Sequence, residues 1–259
     1  MLIEKETYSP KVSIITVVYN AIDTIEQTIK SVIGQGYPNL EYIIIDGGST
    51  DGTLDVIQKY RGHISQFVSE PDKGIGDGFN KGISMAQGDW IGMINADDWY
   101  APNAIALMMA NVSIDDYVCC GNIRLIGKNG FEREKRSKVG WLNFGMYIMH
   151  PTCFVRKWVY RATGKYDTSL KIAMDFDMFL RIKSKGFPIK YIDQTVAYMR
   201  ADGVSSDTLK MHKEEIAVMR RHLAGLNYLS SWLFNYANRL RWRFFYKDKL
   251  RTPLNRQQS

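Results

Sequence analysis

Residues 12–20 read VSIITVVYN and residues 41–52 read EYIIIDGGSTDG. Both contain an apolar, largely β-branched run without alternation, which is typical of strands buried on both faces of a parallel sheet. Between them, apolar residues recur at helical spacing over residues 22–35, and glycine and proline end that segment. The sequence therefore predicts strands at 12–18 and 41–45 joined by a helix, which is a β-α-β unit.

The alternation of strand and helix continues toward the middle of the chain. A second helix is expected to run to about residue 60, followed by a strand at 64–69, a helix at 76–86 and a strand at 89–94. The sequence NADDW follows the last strand directly. This pattern predicts an α/β fold with a doubly wound, mostly parallel sheet, in which ligands bind beyond the carboxyl ends of the strands.

Polar side chains follow three of these predicted strands. Tyr19 follows the first strand, Asp46 ends the second, and Asp97-Asp98 follow the fourth. Two adjacent carboxylates at a strand end repel each other and lose hydration, a cost that a divalent cation with oxygen ligands offsets. The alternatives are that Asp98 caps a helix starting near Pro102 and that Asp46 opens a turn. Because these residues are expected at one edge of the sheet, ligand binding is favoured over both alternatives, with a metal ion at the aspartate pair.

The second half of the sequence is less regular. Strands are expected at 117–126, 131–136, 152–156, 189–192 and 195–199, and helices at 175–185 and 207–224. Asp175 begins the first of these helices, where the helix dipole keeps a carboxylate ionised and suited to act as a general base. Spacing alone favours a helix-start carboxylate without a chemical role.

Three further charged or titratable residues are candidates for ligand contact. His150 precedes Pro151 and is a candidate for binding phosphate or a metal ion, with a satisfied loop histidine as the alternative. Lys73 and Arg200 are candidates for contacting a diphosphate, with solvated surface charges as the alternative.

Length and composition indicate one sizeable globular domain, or one domain with an appendage. The chain has 259 residues, and 45% of them are hydrophobic. Its three cysteines are too few and too irregular for a disulfide framework, which favours a reduced, cytoplasmic setting. The N-terminal residues MLIEKETYSPK lack the apolar core of a secretory signal, and no uncharged apolar run is long enough to span a bilayer. The expectation is a soluble or peripheral protein.

The C-terminal segment is basic and aromatic. From residue 239 onward there are seven basic residues and one acidic residue, so this segment carries a net +6 of the chain's +7. Within residues 228–247 an imperfect amphipathic helix is expected, and its stripe comprises Trp232, Leu233, Tyr236, Leu240 and Phe244. The favoured hypothesis is association with an anionic membrane surface. The alternative is a helix packed on the catalytic domain or on a second copy in a homodimer.

Several motifs together resemble family 2 glycosyltransferases with the GT-A fold. The matching segments are VSIITVVYN (12–20), EYIIIDGGSTDGT (41–53), EPDKGIGDGFNKGI (70–83), GDWIGMINADDW (88–99) and MDFDMFLRI (174–182). They occur in the order and spacing of that family and cover residues 12 to about 205. The combination is specific, although no single segment is.

The resemblance implies a UDP- or GDP-sugar donor, a bound Mn²⁺ or Mg²⁺, and inversion at the anomeric carbon. By position, Asp97 is the main metal ligand with Asp98 assisting, and Asp175 is the catalytic base. His150 falls on the acceptor side. The donor-binding positions are Thr16, Val17, Tyr19, Asp46, Lys73, Asp77, Asn95, Ala96, Asp97 and Arg200.

The sequence departs from the common family pattern at three positions. Asn95 replaces the first carboxylate of the Asp-x-Asp motif, and Gly47 stands where many relatives have a second aspartate that reads the base. Met174 precedes the expected base where many relatives have glutamate. Gly47 argues against a simple uridine-specific pocket, whereas Asn95 can still accept one hydrogen bond and the base Asp175 itself is retained.

The resemblance also implies a division of the chain and a role. Residues 1–206 would form the catalytic domain, with a nucleotide-sugar-binding half at 11–99 and a smaller, mixed acceptor-side half at 100–206. Residues 207–259 would form the helical tail. The implied function is sugar transfer to a hydroxyl of a glycan acceptor, carried on a lipid such as a polyprenol, in bacterial surface polysaccharide synthesis. The protein would act in the cytoplasm, on the inner face of the membrane.

Three other functions were weighed against this one. The principal alternative is a non-catalytic module that binds nucleotide sugars or glycans beside an active transferase. A nucleotidyltransferase would need a basic, glycine-rich phosphate loop, which TVVYNAIDT does not provide. Nucleic-acid binding by the tail would leave residues 12–200 unexplained, so no nucleic-acid partner is expected.

Overall fold

A computed structural model describes residues 9–127, 130–201 and 208–245. Its strands are β1 (Val12–Val18), β2 (Leu40–Asp46), β3 (Gln66–Ser69), β4 (Trp90–Asn95), β5 (Trp99–Tyr100), β6 (Val118–Ile126), β7 (Glu132–Lys135), β8 (Phe154–Arg156) and β9 (Ile189–Arg200). Its helices are α1 (Ile25–Ile33), α2 (Thr53–Lys59), α3 (Ile75–Met85), α4 (Ala104–Ala110), α5 (Lys157–Thr163), α6 (Met174–Ser184), α7 (Thr208–His222) and α8 (Gly225–Phe245). Short 3-10 helices lie at Arg61–His63, Val139–Phe144 and His150–Thr152.

All nine of these strands form one sheet, in the order β3-β2-β1-β4-β8-β6-β9-β5, with β7 paired to β6. The first four strands are parallel to one another, as predicted for a doubly wound sheet. The second half is mixed, because β8 pairs antiparallel with both β4 and β6 while β6 and β9 run parallel. The predicted fold class, a parallel half beside a smaller mixed half, is confirmed.

The hydrophobic core lies on both faces of this sheet. Side chains of β1 alternate, with Ile15 and Val17 packed on one face and Val12 and Ile14 on the other, all nearly or fully buried. This double burial explains why β1 is apolar at nearly every position. The three cysteines are free and buried, as expected for a chain without disulfides.

The second half of the fold differs from the prediction in detail. The two strands expected at 189–192 and 195–199 are one strand, β9, whose register against β6 shifts between Cys120 and Ile123. Residues at such an irregularity interrupt the alternation of side chains between the two faces of the strand. This interruption explains why the sequence suggested two strands with a gap between them. The sequence analysis did not identify β5, α4 and α5, because elements of two to seven residues carry little periodicity.

Helix α7, assigned to the tail in the sequence analysis, packs against α6. Its residues Val218 and Met219 are buried in the core on one face of the sheet. Asp177 of α6, which is 2% exposed, accepts hydrogen bonds from Arg221 and pairs with His222 at 2.7 Å. Within the described ranges, no helix is long and apolar enough to cross a membrane.

Candidate active site

A cleft of about 930 Å³ lies beyond the carboxyl ends of the parallel strands. Its walls come from the loops after β1, β3 and β4, the 3-10 helix at His150–Thr152, the start of α6 and one face of α7. The predicted site residues that line it are Val17, Tyr19, Asn95, Ala96, Asp97, Asp98, His150 and Asp175. The fold therefore brings together residues that are up to 158 positions apart in the chain, as the strand-end argument predicted.

The carboxylate pair after β4 lies in an environment that disfavours two negative charges. Asp98 is 2% exposed, and burial, followed by the charge of Asp97, raises its pKa well above the usual range. The charge of Arg200 opposes that rise. The buried Oδ1 of Asn95 has no hydrogen-bond partner among the residues that the structure describes. This unsatisfied oxygen and the neighbouring carboxylates are hard ligands of the type that Mn²⁺ and Mg²⁺ prefer.

The oxygens of Asn95, Asp97 and Asp98 suit a cation whose remaining ligands come from the substrate. Among the residues that the structure describes, no group of three or more His, Cys, Asp or Glu side chains is arranged to hold a metal ion. A magnesium or manganese ion held by one or two carboxylates takes its remaining ligands from water and phosphate oxygens. Asp97 and Asp98 therefore suit a metal that binds together with a diphosphate.

Asp175 also lines the cleft and occupies the second position of α6. Burial raises the pKa of its carboxyl to about 6. A base with a pKa near the working pH is effective in proton transfer. His150 lies in the same wall and its Nε2 is 3.2 Å from the hydroxyl of Tyr166. Burial lowers the pKa of His150 to about 4, so this ring is neutral at pH 7 and does not act as a cation toward phosphate.

The sequence analysis missed Glu215, which also lines the cleft. It lies on α7, and burial, followed by the charge of Asp175, raises its pKa to about 7. The charge of Asp175 thus acts on Glu215, and both carboxyl groups line the same cleft. No local motif marks Glu215, because it is forty positions from Asp175 and reaches the site only through the packing of α7 on α6.

Five predicted donor-binding residues do not line the cleft. Two of them, Thr16 and Asp46, are fully buried. The Oγ1 of Thr16 contacts the hydroxyl of Tyr42 at 3.1 Å. The carboxylate of Asp46 accepts hydrogen bonds from the N–H groups of Gly48 and Ser49 and from two serine hydroxyls. Asp46 thus stabilises the turn after β2, which was the structural alternative to ligand binding.

The other three, Lys73, Asp77 and Arg200, lie around the cleft rather than in its wall. Asp77 accepts a hydrogen bond from the N–H of Lys73 at the start of α3. Arg200 lies over the ring of Trp99 at 5.1 Å and donates to Gln27. Contact of Lys73 or Arg200 with a donor remains a prediction.

Comparison with known proteins identifies the family. The model of glycosyl transferase family 2 matches residues 13–182, which is more than half of the chain. The chain belongs to glycosyl transferase family 2. The transferase is 30% identical to chondroitin synthase of Escherichia coli over 223 residues, which are 79% of this chain and 31% of that protein. It is also 30% identical to an uncharacterized glycosyltransferase of Rickettsia typhi, over 71% of this chain and 63% of that protein.

Solved structures show the same fold. TarS of S. aureus superposes with a TM-score of 0.67 at 19% identity, over 94% of the transferase and 46% of TarS. The mannosyltransferase PcManGT of Pyrobaculum calidifontis, solved with GDP-Man and Mn²⁺, superposes with a TM-score of 0.62 at 18% identity, over 91% and 65% of the two chains. The fold is thus of the GT-A type. The transferase spans less than a third of the length of the synthases that it matches.

Proposed function

We propose that the transferase moves a sugar from a UDP- or GDP-linked donor to a hydroxyl of a glycan acceptor, with inversion at the anomeric carbon. The observation that carries this proposal is the meeting of Asp97 and Asp175 in one cleft, one at the end of β4 and one at the start of α6. Asp97 suits the binding of a metal-bound diphosphate, and Asp175 suits the role of proton acceptor. Relatives named as chondroitin and hyaluronan synthases support a glycan acceptor.

In this mechanism Asp175 accepts the proton of the acceptor hydroxyl as that oxygen attacks the anomeric carbon. The base and the diphosphate site belong to different elements that line one cleft, and in this mechanism the sugar lies between them and is attacked from the side opposite its leaving group. Asp97 and Asp98 would hold Mn²⁺ or Mg²⁺, which would supply positive charge to offset that developing on the nucleoside diphosphate. His150 is neutral and contributes hydrogen bonds on the acceptor side.

The acceptor is proposed to be lipid-linked, with the protein held on an anionic membrane. Helix α8 supports this, because one of its faces packs on the domain while the other exposes Leu226, Leu229, Trp232, Leu233 and Tyr236. Such a face, followed by basic residues, suits the interface of an anionic bilayer. The side chains of residues 238–245, including Leu240 and Phe244, and all of residues 246–259 lie outside the described part of the chain.

Donor binding is tested by thermal unfolding with UDP- and GDP-sugars in the presence and absence of Mn²⁺. We expect one donor to raise Tm only with the metal, since a ligand at a hundred times its Kd stabilises by about 2.7 kcal/mol. Asp97→Asn should abolish the shift, whereas Asp115→Asn, an exposed aspartate that does not line the cleft, should retain it.

Donor hydrolysis distinguishes the transferase from the principal alternative. The proposal predicts metal-dependent release of the nucleoside diphosphate from the donor that binds. Binding without metal-dependent turnover of any donor would instead support a non-catalytic nucleotide-sugar-binding module.

A further inference from the structure

The loop between β3 and α3 places a carboxylate over two glycines. A Cβ on Gly47 would lie 2.9 Å from Oδ2 of Asp72, and a Cβ on Gly78 would lie 3.5 Å from the same atom. A contact of 2.9 Å is too close for a real Cβ, so a side chain at position 47 would displace the carboxylate. Gly47 therefore leaves open the space that Asp72 occupies.

The carboxylate is held in this position by its own loop. The N–H of Gly74 donates to Oδ1 of Asp72 at 2.7 Å. A Cβ on Gly48 would lie 3.4 Å from the nitrogen of Pro71, so the loop rests on the turn after β2. Because one carboxylate has about four acceptor positions, the Gly74 contact orients the group without using up its capacity. Asp72 also lines the cleft.

Sheet order places Asp72 and Asp97 on opposite sides of β1 along the cleft. The order β3-β2-β1-β4 puts the loops after β2 and β3 on one side of β1, and Asp97 after β4 on the other. The N–H of Gly47 donates to the carbonyl of Val18, directly before Tyr19. Two strand spacings, about 10 Å, therefore separate the strand that leads to Gly47 from the strand that leads to Asp97. With a diphosphate bound at Asp97, a nucleoside that extends across β1 would lie near Tyr19 and Asp72.

We propose that Asp72 reads the nucleobase by accepting a hydrogen bond from a protonated ring nitrogen. Uracil N3 and guanine N1 carry a hydrogen, whereas cytosine N3 and adenine N1 present a lone pair that faces the carboxylate unfavourably. The donor is therefore a nucleotide with a keto base. This inference rests on the proposed function and deepens it, since it assigns base selection to a residue on the β3–α3 loop.

Base selection is tested by calorimetric titration of the full chain with UDP, CDP, GDP and ADP in the presence of Mn²⁺. We expect the protein to bind UDP at least tenfold more tightly than CDP, or GDP at least tenfold more tightly than ADP. In Asp72→Asn the amide oxygen accepts from Gly74 and the NH₂ group takes the place of Oδ2. The NH₂ group then faces the base as a donor where the carboxylate would accept. The preference for the keto base should therefore fall at least tenfold, because the keto-base nucleotide binds more weakly.

Two further variants separate base reading from charge and from folding. Gly47→Ala keeps every charge and adds a methyl group that displaces the carboxylate, so it should also reduce the preference. Asp55→Asn removes an exposed charge from α2 and should leave all four affinities unchanged. An equal loss of affinity for keto-base and amino-base nucleotides in Asp72→Asn would overturn the inference. A wild-type protein that binds all four nucleotides without preference would overturn it as well. If none of the four nucleotides binds the wild-type protein, the proposed function itself fails.

Discussion

At the scale of single residues, the site balances stability against chemistry. Burial raises the pKa of Asp175 to about 6, which suits its proposed role as a base, yet the same burial makes its ionised form costly to the folded state. In the unfolded chain the pKa of an aspartate is about 3.9. The stability associated with protonated Asp175 is therefore present below about pH 4 and is lost as the pH rises through about 6.

Asp175→Asn should consequently change activity and stability in opposite directions. Transfer should fall by at least about a hundredfold, because the proton acceptor is gone. At pH 7.5 the free energy of unfolding should rise by about 2 kcal/mol, since the variant no longer carries a buried charge. Urea unfolding at pH 4 and pH 7.5 checks the sign, and the gain should nearly vanish at the lower pH.

Nucleotide affinity provides the control for this variant. Asp175 lies toward the acceptor, so the Kd for the nucleoside diphosphate with Mn²⁺ should stay within about threefold of the wild-type value. Wild-type transfer rates in Asp175→Asn would show that another group accepts the proton, with Glu215 the first candidate because it lines the same cleft.

At the scale of elements, α7 supports the segment that joins Asp175 to the β3–α3 loop. Glu214 accepts hydrogen bonds from the backbone N–H groups of Lys171, Ile172 and Ala173, the residues that lead into α6. The Nζ of Lys171 donates in turn to the carbonyl of Lys73 at 2.6 Å. One glutamate therefore supports a segment that contacts both sides of the cleft.

Glu214→Ala should destabilise the protein by about 2 kcal/mol, because three backbone donors lose a charged acceptor. Burial opposes ionisation of Glu214, but these three hydrogen bonds together lower its pKa. The stabilisation is therefore present above the usual glutamate pKa and is lost as the pH falls below it. Urea unfolding at pH 7 and pH 3.5 measures the difference, which should be smaller at the lower pH.

Glu214→Gln and Lys213→Ala are the matched variants on the same helix. Glutamine retains one acceptor oxygen and should recover part of the stability, while Lys213 is exposed and its loss should cost less than about 0.5 kcal/mol. Equal effects of Glu214→Ala and Lys213→Ala would contradict the role assigned to Glu214.

At the scale of the whole molecule, α8 has two faces with different surroundings. The ring of Phe234 packs against Trp141, Phe144 and Tyr147, and Asn235 donates to the carbonyl of Phe144. The packed helix and the membrane helix, which the sequence analysis treated as alternatives, are therefore compatible. Packing on the domain holds the opposite, apolar face toward solvent.

Leu233→Glu should reduce binding to vesicles of 30% phosphatidylglycerol in phosphatidylcholine by about tenfold or more. Leu233 is 51% exposed, and transferring a leucine side chain out of water contributes about 1.5–3 kcal/mol. Co-sedimentation of the full chain measures the effect. Ile114→Glu, which changes an exposed apolar residue far from α8 in sequence, should bind like the wild type. Unchanged vesicle binding by Leu233→Glu would contradict the membrane proposal, and a change from dimer to monomer would assign this face to a second copy.

The sequence by itself determined the parallel half of the fold and its ligand-binding edge. Long apolar runs identify strands that are buried on both faces, and helical connections between them make the strands parallel, so Tyr19 and Asp97 have to meet at one edge. Asp175 required the family resemblance, because a helix-start carboxylate has no distinctive spacing.

Only the tertiary structure decided which other residues reach that edge. Glu215 lines the cleft because α7 packs on α6, and Asp72 lies over Gly47 because the loop after β3 folds across the turn after β2. The carboxylate of Asp46, which ends a strand, already accepts hydrogen bonds from the backbone of the turn that follows it. These placements depend on contacts between distant segments and on which hydrogen bonds are already satisfied, and neither property leaves a periodic signal in the chain.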